Sequence, residues 1–233
     1  MEVPFISIVL PVHNQADHLR EIISLYQAEL KRLEIAYEML LVPNGCTDDS
    51  EQIAQALAAE RPEIQVVVSS AKGWGHAVAA GLARTKGDLL CYTNSARTAP
   101  GDLALVLLYA RAYSATVVKA TRKIREGFFR RLGSLLYNLE CRALFDLSYW
   151  DVNGTPKVFP RQFESLLTLK RRDDLIDLEF NVICRRRAYP MVEVPIFSSS
   201  RRHGGRSTTH LLSALRMYWG AVKIWREGRG KAA

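Results

Sequence analysis

Residues 72–98 read KGWGHAVAAGLARTKGDLLCYTNSART, and this stretch decides the fold. A glycine-rich loop leads into small apolar residues spaced as in a helix, and a Gly-Asp turn then leads into the apolar run DLLCYT. We therefore predict a helix over residues 75–82 and a buried strand over residues 88–93. A helix joined to a strand by so short a turn is typical of a parallel sheet covered by helices.

The same alternation extends in both directions from this stretch. The β-branched run ISIVLP at residues 6–11 is followed by apolar residues at helical spacing, and EMLLV at residues 38–42 leads through a Pro-Asn-Gly turn to a helix from about residue 48. This pattern predicts an α/β fold with a right-handed, Rossmann-like winding and a mostly parallel central sheet flanked by helices. Further strands are predicted at residues 64–68, 116–120 and 191–196, helical segments at 122–150, 173–187 and 209–227, and an irregular or strand segment at 151–160.

Length and charge limit the function classes. The chain has 233 residues and a hydrophobic fraction of 48%, which suits one α/β domain, and 32 basic against 24 acidic residues give a net charge of +8. That charge favours an anionic partner such as a nucleotide diphosphate, a lipid phosphate, a membrane surface or a nucleic acid. Because the sequence has no recognisable DNA-reading helix or aromatic RNA platform, we do not expect a nucleic acid.

Cysteine spacing and hydropathy indicate the compartment. The four cysteines are far apart and form no CxxC pair or His/Cys cluster suited to zinc. The first residues, MEVPF, do not resemble a signal peptide, and no apolar run has the length of a spanning helix. We therefore expect a cytoplasmic protein with reduced thiols, either soluble or peripheral at the inner face of the membrane.

Polar segments follow four of the predicted strands, at residues 14–17, 44–49, 72–76 and 94–98. Each segment alone is typical of an ordinary turn. Ligands of α/β sheets gather at the carboxyl ends of the strands, where helix N-termini offer free N–H groups. Together, the four segments predict a binding site at that edge.

The order of these motifs resembles family 2 glycosyltransferases of the GT-A fold. LPVHNQADHL, VPNGCTDDS and the stretch at residues 72–98 are similar to the family's opening segment, its acidic loop and the approach to its DXD loop. Residues 151–157, 177–179 and 202–207 resemble dolichyl- and polyprenyl-phosphate sugar transferases, so the resemblance covers nearly the whole chain.

The resemblance implies one GT-A domain and an inverting hexosyltransferase. Residues 1–100 would bind the nucleotide sugar, residues 101–208 would bind a polyprenyl phosphate or another polar acceptor, and residues 209–233 would contain an amphipathic helix. Further partners would be a membrane surface or an integral-membrane protein.

The resemblance also assigns site residues. Asp151 and Asp177 are the candidate catalytic carboxylates, although Asp177 has the alternative role of a surface charge that pairs with residues 185–187. A phosphate acceptor is already an anionic nucleophile, which reduces the need for a base. The donor-binding residues would be Pro11, His13, Asn14, Asn44, Asp48, Lys72, Gly73, Asn94, Ala96 and Arg97. The acceptor- or phosphate-binding residues would be Arg122, Arg131, Ser134, Lys157, Arg202, Arg206 and Ser207.

One motif departs from the family. The DXD position reads Asn94-Ser95-Ala96, which has lost both carboxylates that would hold Mg²⁺ or Mn²⁺. No cofactor is therefore certain and no metal ligand is assigned: neither ion is expected at this loop, and the open alternative is that Mg²⁺ or Mn²⁺ is recruited by other carboxylates, such as Asp48, Asp151 or Asp177. Either Arg97 neutralises the diphosphate instead, or the chain is an inactive relative that binds a nucleotide sugar or a partner enzyme as a regulator or scaffold.

Two helical segments mix basic, aromatic and aliphatic residues, at residues 125–140 and in the last helix. Such a pattern is typical of a helix lying at a lipid interface with its arginines toward the headgroups. An ordinary amphipathic helix that packs on the sheet has the same pattern. Both alternatives remain open at this point.

Overall fold

The computed structural model describes residues 4–69, 71–123, 128–197 and 211–229. Seven strands form one sheet in the order β3 (Ile64–Val66), β2 (Tyr37–Pro43), β1 (Ile6–Val12), β4 (Leu89–Tyr92), β6 (Lys157–Pro160), β5 (Val117–Arg122) and β7 (Met191–Ile196). Every neighbouring pair is parallel except those that include β6, which is antiparallel to β4 and to β5. The predicted α/β class with a mostly parallel sheet is confirmed. The α-helices are α1 (Leu19–Arg32), α2 (Ser50–Glu60), α3 (Trp74–Leu82), α4 (Pro100–Ala112), α5 (Phe128–Phe145), α6 (Ile176–Arg186) and α7 (Leu211–Arg229).

Helices cover both faces of the sheet. Strand β1 is buried at every position, as expected of a parallel strand enclosed on both sides. Its residues Ile8 and Leu10 pack in the core with α1, α2 and α4, whereas Val9 packs with α3 and α6 on the opposite face. The alternation of side chains along β1 therefore divides the core into two layers.

Helices α5 and α7 form an outer layer against α6. Tyr137 of α5 packs edge-on against Tyr218 of α7, with 5.7 Å between ring centroids. The Tyr218 hydroxyl donates a hydrogen bond of 2.7 Å to the carbonyl oxygen of Gly133. None of the helices within the described ranges is both long and apolar enough to cross a membrane.

The structure differs from the sequence-based prediction in two elements. Helix α4 was not predicted, because it carries apolar residues on its exposed side as well, including Leu105 and Leu108. The helix predicted over residues 122–150 is shorter: Arg122 still pairs with Ile196 in the sheet, and the described helix α5 ends at Phe145.

The strand directions bring the chemically interesting residues to one edge of the sheet. The carboxyl ends of β1, β2, β4 and β5 meet there, together with the start of β6. The register places Tyr92, Lys157, Lys119 and Glu193 side by side across β4, β6, β5 and β7. We call these four residues the polar row.

Candidate functional site

A first cavity of about 300 Å³ opens at the carboxyl ends of β1, β2 and β4. All but two of the predicted donor-binding residues line it, and Gln15 and Trp74, which were not predicted, line it as well. The sequence could have indicated Trp74, because an aromatic residue is unusual inside a glycine-rich loop. The predicted residues in the lining are Pro11, His13, Asn44, Lys72, Gly73, Asn94, Ala96 and Arg97.

Asn44 joins three segments of this wall. Its amide nitrogen donates to the carbonyl of Val12 at 2.8 Å, and its side-chain oxygen accepts the backbone N–H of Gly73 at 3.2 Å. Its own carbonyl lies 2.9 Å from Nδ1 of His13. A carbonyl can only accept, so His13 carries a proton on Nδ1.

Lys72 lies across the turn after β2. Gly45 in that turn has φ of +60°, and a Cβ placed on it would stand 2.9 Å from the Cβ and Cγ of Lys72. Only glycine combines this backbone conformation with so close a neighbour. Gly45 thus leaves room for the aliphatic part of Lys72 beside the cavity.

Asn14 and Asp48 are not in the lining and instead join two loops. Asn14 accepts the backbone N–H of Thr47 at 2.8 Å, and Asp48 accepts the backbone N–H of Ala16 at 3.0 Å. Burial works to raise the pKa of Asp48, but hydrogen bonds from Ser50 and Ala16 outweigh it and lower that pKa. In this structure both side chains hold the loops that form the cavity.

The loop after β4 does not fit a divalent cation. Asn94 uses its side-chain oxygen to accept the backbone N–H of Ala96 at 3.0 Å, and Ala96 has no ligand atom in its side chain. No carboxylate lines the first cavity among the described residues. Across the described ranges, no group of three or more His, Cys, Asp or Glu side chains is arranged to hold a metal ion.

Asp177 lies beneath the first cavity. It is 5% exposed and accepts hydrogen bonds from Trp74 Nε1 at 3.0 Å and from the Tyr92 hydroxyl at 2.9 Å. It also forms an ion pair with Lys157, which is fully buried. The alternative role of Asp177 as a surface charge is therefore wrong, and Arg185 pairs with Asp146 instead.

Lys157 is the partner of Asp177 in this ion pair. Burial lowers the pKa of its ammonium group, and the adjacent carboxylate of Asp177 opposes that change. Lys157 was predicted to bind a phosphate, but in this structure it is buried with Asp177 and lines neither cavity. In the sequence, the burial of this lysine was indicated by its position among the apolar residues of a strand.

A second cavity of about 520 Å³ lies at the end of β5 and beside α5. Four predicted residues line it: Arg122, Arg131, Ser134 and Asp151. Lys123, Asn138 and Trp150 line it as well and were not predicted. The lining combines positive charge with the exposed side chains of Leu132 and Leu135.

Asp151 fixes the position of Arg122 in the second cavity. Its carboxylate accepts hydrogen bonds from Nε and Nη2 of Arg122 at 2.7 and 2.6 Å and from the backbone N–H of Arg122 at 3.0 Å. Burial works to lower the pKa of Arg122, but Asp151 outweighs it and raises that pKa. Both predicted catalytic carboxylates are therefore engaged in ion pairs.

Lys119 holds the loop that carries Asp151. Its buried ammonium bonds to the carbonyls of Trp150 and Asp151 and to the carboxylate of Glu193, which is 3.0 Å away. Burial lowers the pKa of Lys119, and the two carboxylates of Glu193 and Asp151 oppose that change. The sequence indicated the burial of Lys119 in the same way, because this lysine lies inside the apolar strand VVKA.

The remaining predicted residues, Arg202, Arg206 and Ser207, lie outside the described residues.

Comparisons with known proteins agree with the fold. The chain is 27% identical over 209 residues to the undecaprenyl-phosphate 4-deoxy-4-formamido-L-arabinose transferase of Sodalis glossinidius, covering 88% of this chain and 63% of the relative. A protein of the same name from Pseudomonas fluorescens is also 27% identical, covering 85% of this chain and 58% of the relative. The chain thus spans about three fifths of the length of these relatives.

Two solved structures share the fold. Glucosyl-3-phosphoglycerate synthase from Mycobacterium tuberculosis, solved with Mn²⁺, UDP and glucosyl-3-phosphoglycerate, has a TM-score of 0.70 and 19% identity over 95% of this chain and 80% of that one. Mannosyl-3-phosphoglycerate synthase from Rubrobacter xylanophilus has a TM-score of 0.66 and 21% identity over 98% of this chain and 75% of that one.

The sequence model described as glycosyl transferase family 2 matches residues 7–166, which run from β1 to the segment after β6 and include both cavities. This chain belongs to glycosyl transferase family 2.

Proposed function

We propose that this protein transfers a sugar from a nucleoside diphosphate sugar to a polyprenyl phosphate, with inversion at the anomeric carbon. The observation that carries the proposal is the pair of cavities at one edge of the sheet. Strands β4 and β5, whose ends border the two cavities, are separated by β6, so they lie two strand spacings apart, about 10 Å. Two substrates bound there would meet above the polar row.

The first cavity suits the nucleotide sugar. It lies where α/β folds bind nucleotides, beyond the carboxyl ends of the strands and next to the N-terminus of α3. Trp74 and His13 offer aromatic surfaces, and Lys72 and Arg97 offer positive charge for phosphates. The mycobacterial neighbour, which shares this fold, was solved with UDP, and this supports a nucleotide as a ligand of the fold.

The second cavity suits an amphiphile with an anionic head. Lys123 and Arg131 supply positive charge inside it, beside the ion pair of Arg122 and Asp151. A stripe of exposed leucines runs along α5 beside it, with 42% to 50% of each side chain exposed, and consists of Leu132, Leu135, Leu136 and Leu139. A phosphate bound to Lys123 and Arg131 would thus lie beside an apolar surface, as a polyprenyl phosphate requires. The names of the undecaprenyl-phosphate relatives support this assignment.

The chemistry follows from the charges. An oxygen of the acceptor phosphate attacks the anomeric carbon, and the nucleoside diphosphate leaves with the electrons of the broken bond. Because the phosphate is already ionised near neutral pH, no base has to remove a proton. The paired state of Asp151 agrees with a role in holding Arg122 rather than in proton transfer.

The proposal is tested by turnover of the purified protein with a panel of nucleoside diphosphate sugars and undecaprenyl phosphate. We expect a glycosylated lipid phosphate as the product. Arg131→Ala should lower its formation more than the control Arg84→Ala, which removes a cation that follows α3 and lines neither cavity. Nucleotide binding without turnover of any pair would contradict the proposal and favour a regulator or scaffold.

We also propose that the leucine stripe on α5 rests on the cytoplasmic face of a membrane, where it could receive the lipid. Trp219 and Leu215 of the neighbouring helix α7 are exposed as well. Binding to anionic vesicles should weaken with salt, because screening acts over about 8 Å at physiological ionic strength. Leu136→Gln should weaken it further, whereas Leu105→Gln on the exposed side of α4 should not. Equal binding by both variants would remove the stripe from the interface.

A further inference from the structure

Asn94, Arg97 and Lys72 line the first cavity together, and Asn94 stands at a position where the resemblance to family 2 implies a metal-binding carboxylate. Asn94 and Arg97 belong to the loop after β4, and Lys72 reaches the cavity from the loop before α3. We propose that these residues bind the diphosphate directly, through N–H groups and positive charge, so that nucleotide binding needs no divalent cation. The inference rests on the proposed function and concerns how its donor is held.

The orientation of Asn94 supports this site. The backbone N–H of Ala96 is a donor, so the side-chain atom of Asn94 that faces it must be the oxygen. The amide nitrogen of Asn94 has no hydrogen-bond partner among the described residues. Because Asn94 lines the cavity, its remaining N–H donor suits a phosphate oxygen bound there, whereas a cation would need the oxygen that is already in use.

The loop geometry fixes this orientation. The backbone carbonyl of Asn94 accepts the N–H groups of Arg97 and Thr98 at 3.0 and 2.9 Å. Thr98 also shares a 2.7 Å hydrogen bond with the hydroxyl of Thr93 inside the protein. Turning the amide by half a rotation would leave the N–H of Ala96 facing another donor, so the loop itself selects the phosphate-binding orientation.

The charges agree with the geometry. A nucleoside diphosphate sugar carries one ionised oxygen on each phosphate, and Lys72 and Arg97 supply two positive charges in a described lining that holds no carboxylate. Negative charge grows on the diphosphate as the sugar leaves, and fixed positive groups stabilise it. A guanidinium can also bind a phosphate through two parallel hydrogen bonds.

The test is calorimetric binding of UDP, GDP, CDP and ADP to the full chain, in EDTA and in excess Mn²⁺. We expect at least one nucleotide to bind with equal affinity in both buffers. Loss of a hydrogen bond to a charged group should weaken binding about tenfold or more in Arg97→Ala and in Lys72→Ala. Arg84→Ala, which removes the same charge away from the cavity, should bind as the parent does.

Asn94→Asp is the sharpest variant, because it is isosteric and keeps the acceptor for Ala96. It replaces the amide N–H₂ with a charged oxygen, so binding should weaken in EDTA and recover in part with Mn²⁺. Binding by the parent protein that disappears in EDTA would overturn the inference and leave the proposed function standing. Binding unaffected by both cation variants would overturn it as well. If no nucleotide binds in either buffer, the proposed function itself fails.

Discussion

Removal of Asp177 should destabilise the protein more than removal of its partner Lys157. Asp177→Leu leaves a fully buried ammonium that has no other hydrogen-bond acceptor among the described residues and only the rings of Tyr92 and Phe180 nearby, at 5.4 and 5.7 Å. Breaking a buried pair in this way costs about 3–5 kcal/mol of unfolding free energy.

Lys157→Met leaves a carboxylate that keeps two donors, the Tyr92 hydroxyl and the Trp74 ring nitrogen. We therefore expect a smaller loss, near the value of one hydrogen bond to a charged group, about 1.5–3 kcal/mol. The double variant removes both charges and should be more stable than Asp177→Leu alone, since an apolar pair of similar volume can replace a buried ion pair.

Urea unfolding at neutral pH measures these differences, and an unchanged slope would show that the unfolded state is the same. Arg20→Ala is the matched control, because it breaks a surface pair with Glu60 in which both side chains are about half exposed. It should leave the unfolding midpoint almost unchanged. If Asp177→Leu is no more destabilising than that control, the buried pair does not exist as described.

Three further predictions concern the backbone and the thiols. Gly154→Ala should destabilise the fold by about 1–3 kcal/mol in urea unfolding, because the added Cβ would overlap the carbonyl oxygen of Ala120, whereas Gly101→Ala on α4 meets no atom within 4 Å and should be neutral or slightly stabilising. Gly45→Ala should cost about 1–3 kcal/mol through its positive φ and should also weaken nucleotide binding by displacing Lys72. Ellman's reagent should modify only Cys46 in the native protein and all four thiols in urea, because the other three are buried, and burial raises the pKa of Cys141 and Cys184 to about 12. Rapid native labelling of more than one thiol, or unfolding midpoints that do not separate the glycine variants, would contradict these expectations.

The sequence predicted the first cavity well because its signals are local. Each lining segment directly follows a strand, so the parallel sheet brings Pro11, Asn44 and Asn94 to one edge without further information. Even so, Asn14 and Asp48 lie in the loops after β1 and β2 without lining the cavity, because the side chain of each one binds a backbone N–H of the other loop. Sequence spacing located the loops but did not give the direction of each side chain.

The buried ion pairs could not be predicted because their partners are distant along the chain. Tyr92 and Trp74 are 85 and 103 residues away from Asp177, and Glu193 is 74 residues away from Lys119. A lysine within an apolar strand indicates a buried cation, but only the register of β6 between β4 and β5 determines its neighbours.

That register also explains where the charge of the site resides. Lys119 and Lys157 face each other across an antiparallel pair, which is unfavourable for like charges. Each has its own carboxylate, Glu193 for Lys119 and Asp177 for Lys157, so the polar row and its partner from α6 are neutral together.

Arg122 is balanced in the same way by Asp151. The linings of the two cavities hold further cations, namely Lys72, Arg97, Lys123 and Arg131, and the proposed function assigns the substrate phosphates to these. Variants should divide accordingly: those in the row should lower the free energy of unfolding, and those of Lys72, Lys123 and Arg131 should weaken ligand binding with little change in that free energy. A variant of Lys72 or Arg131 that unfolds at much lower urea concentration would contradict this separation, because it would mean that the cavity walls depend on the same charges that are meant to hold the substrates.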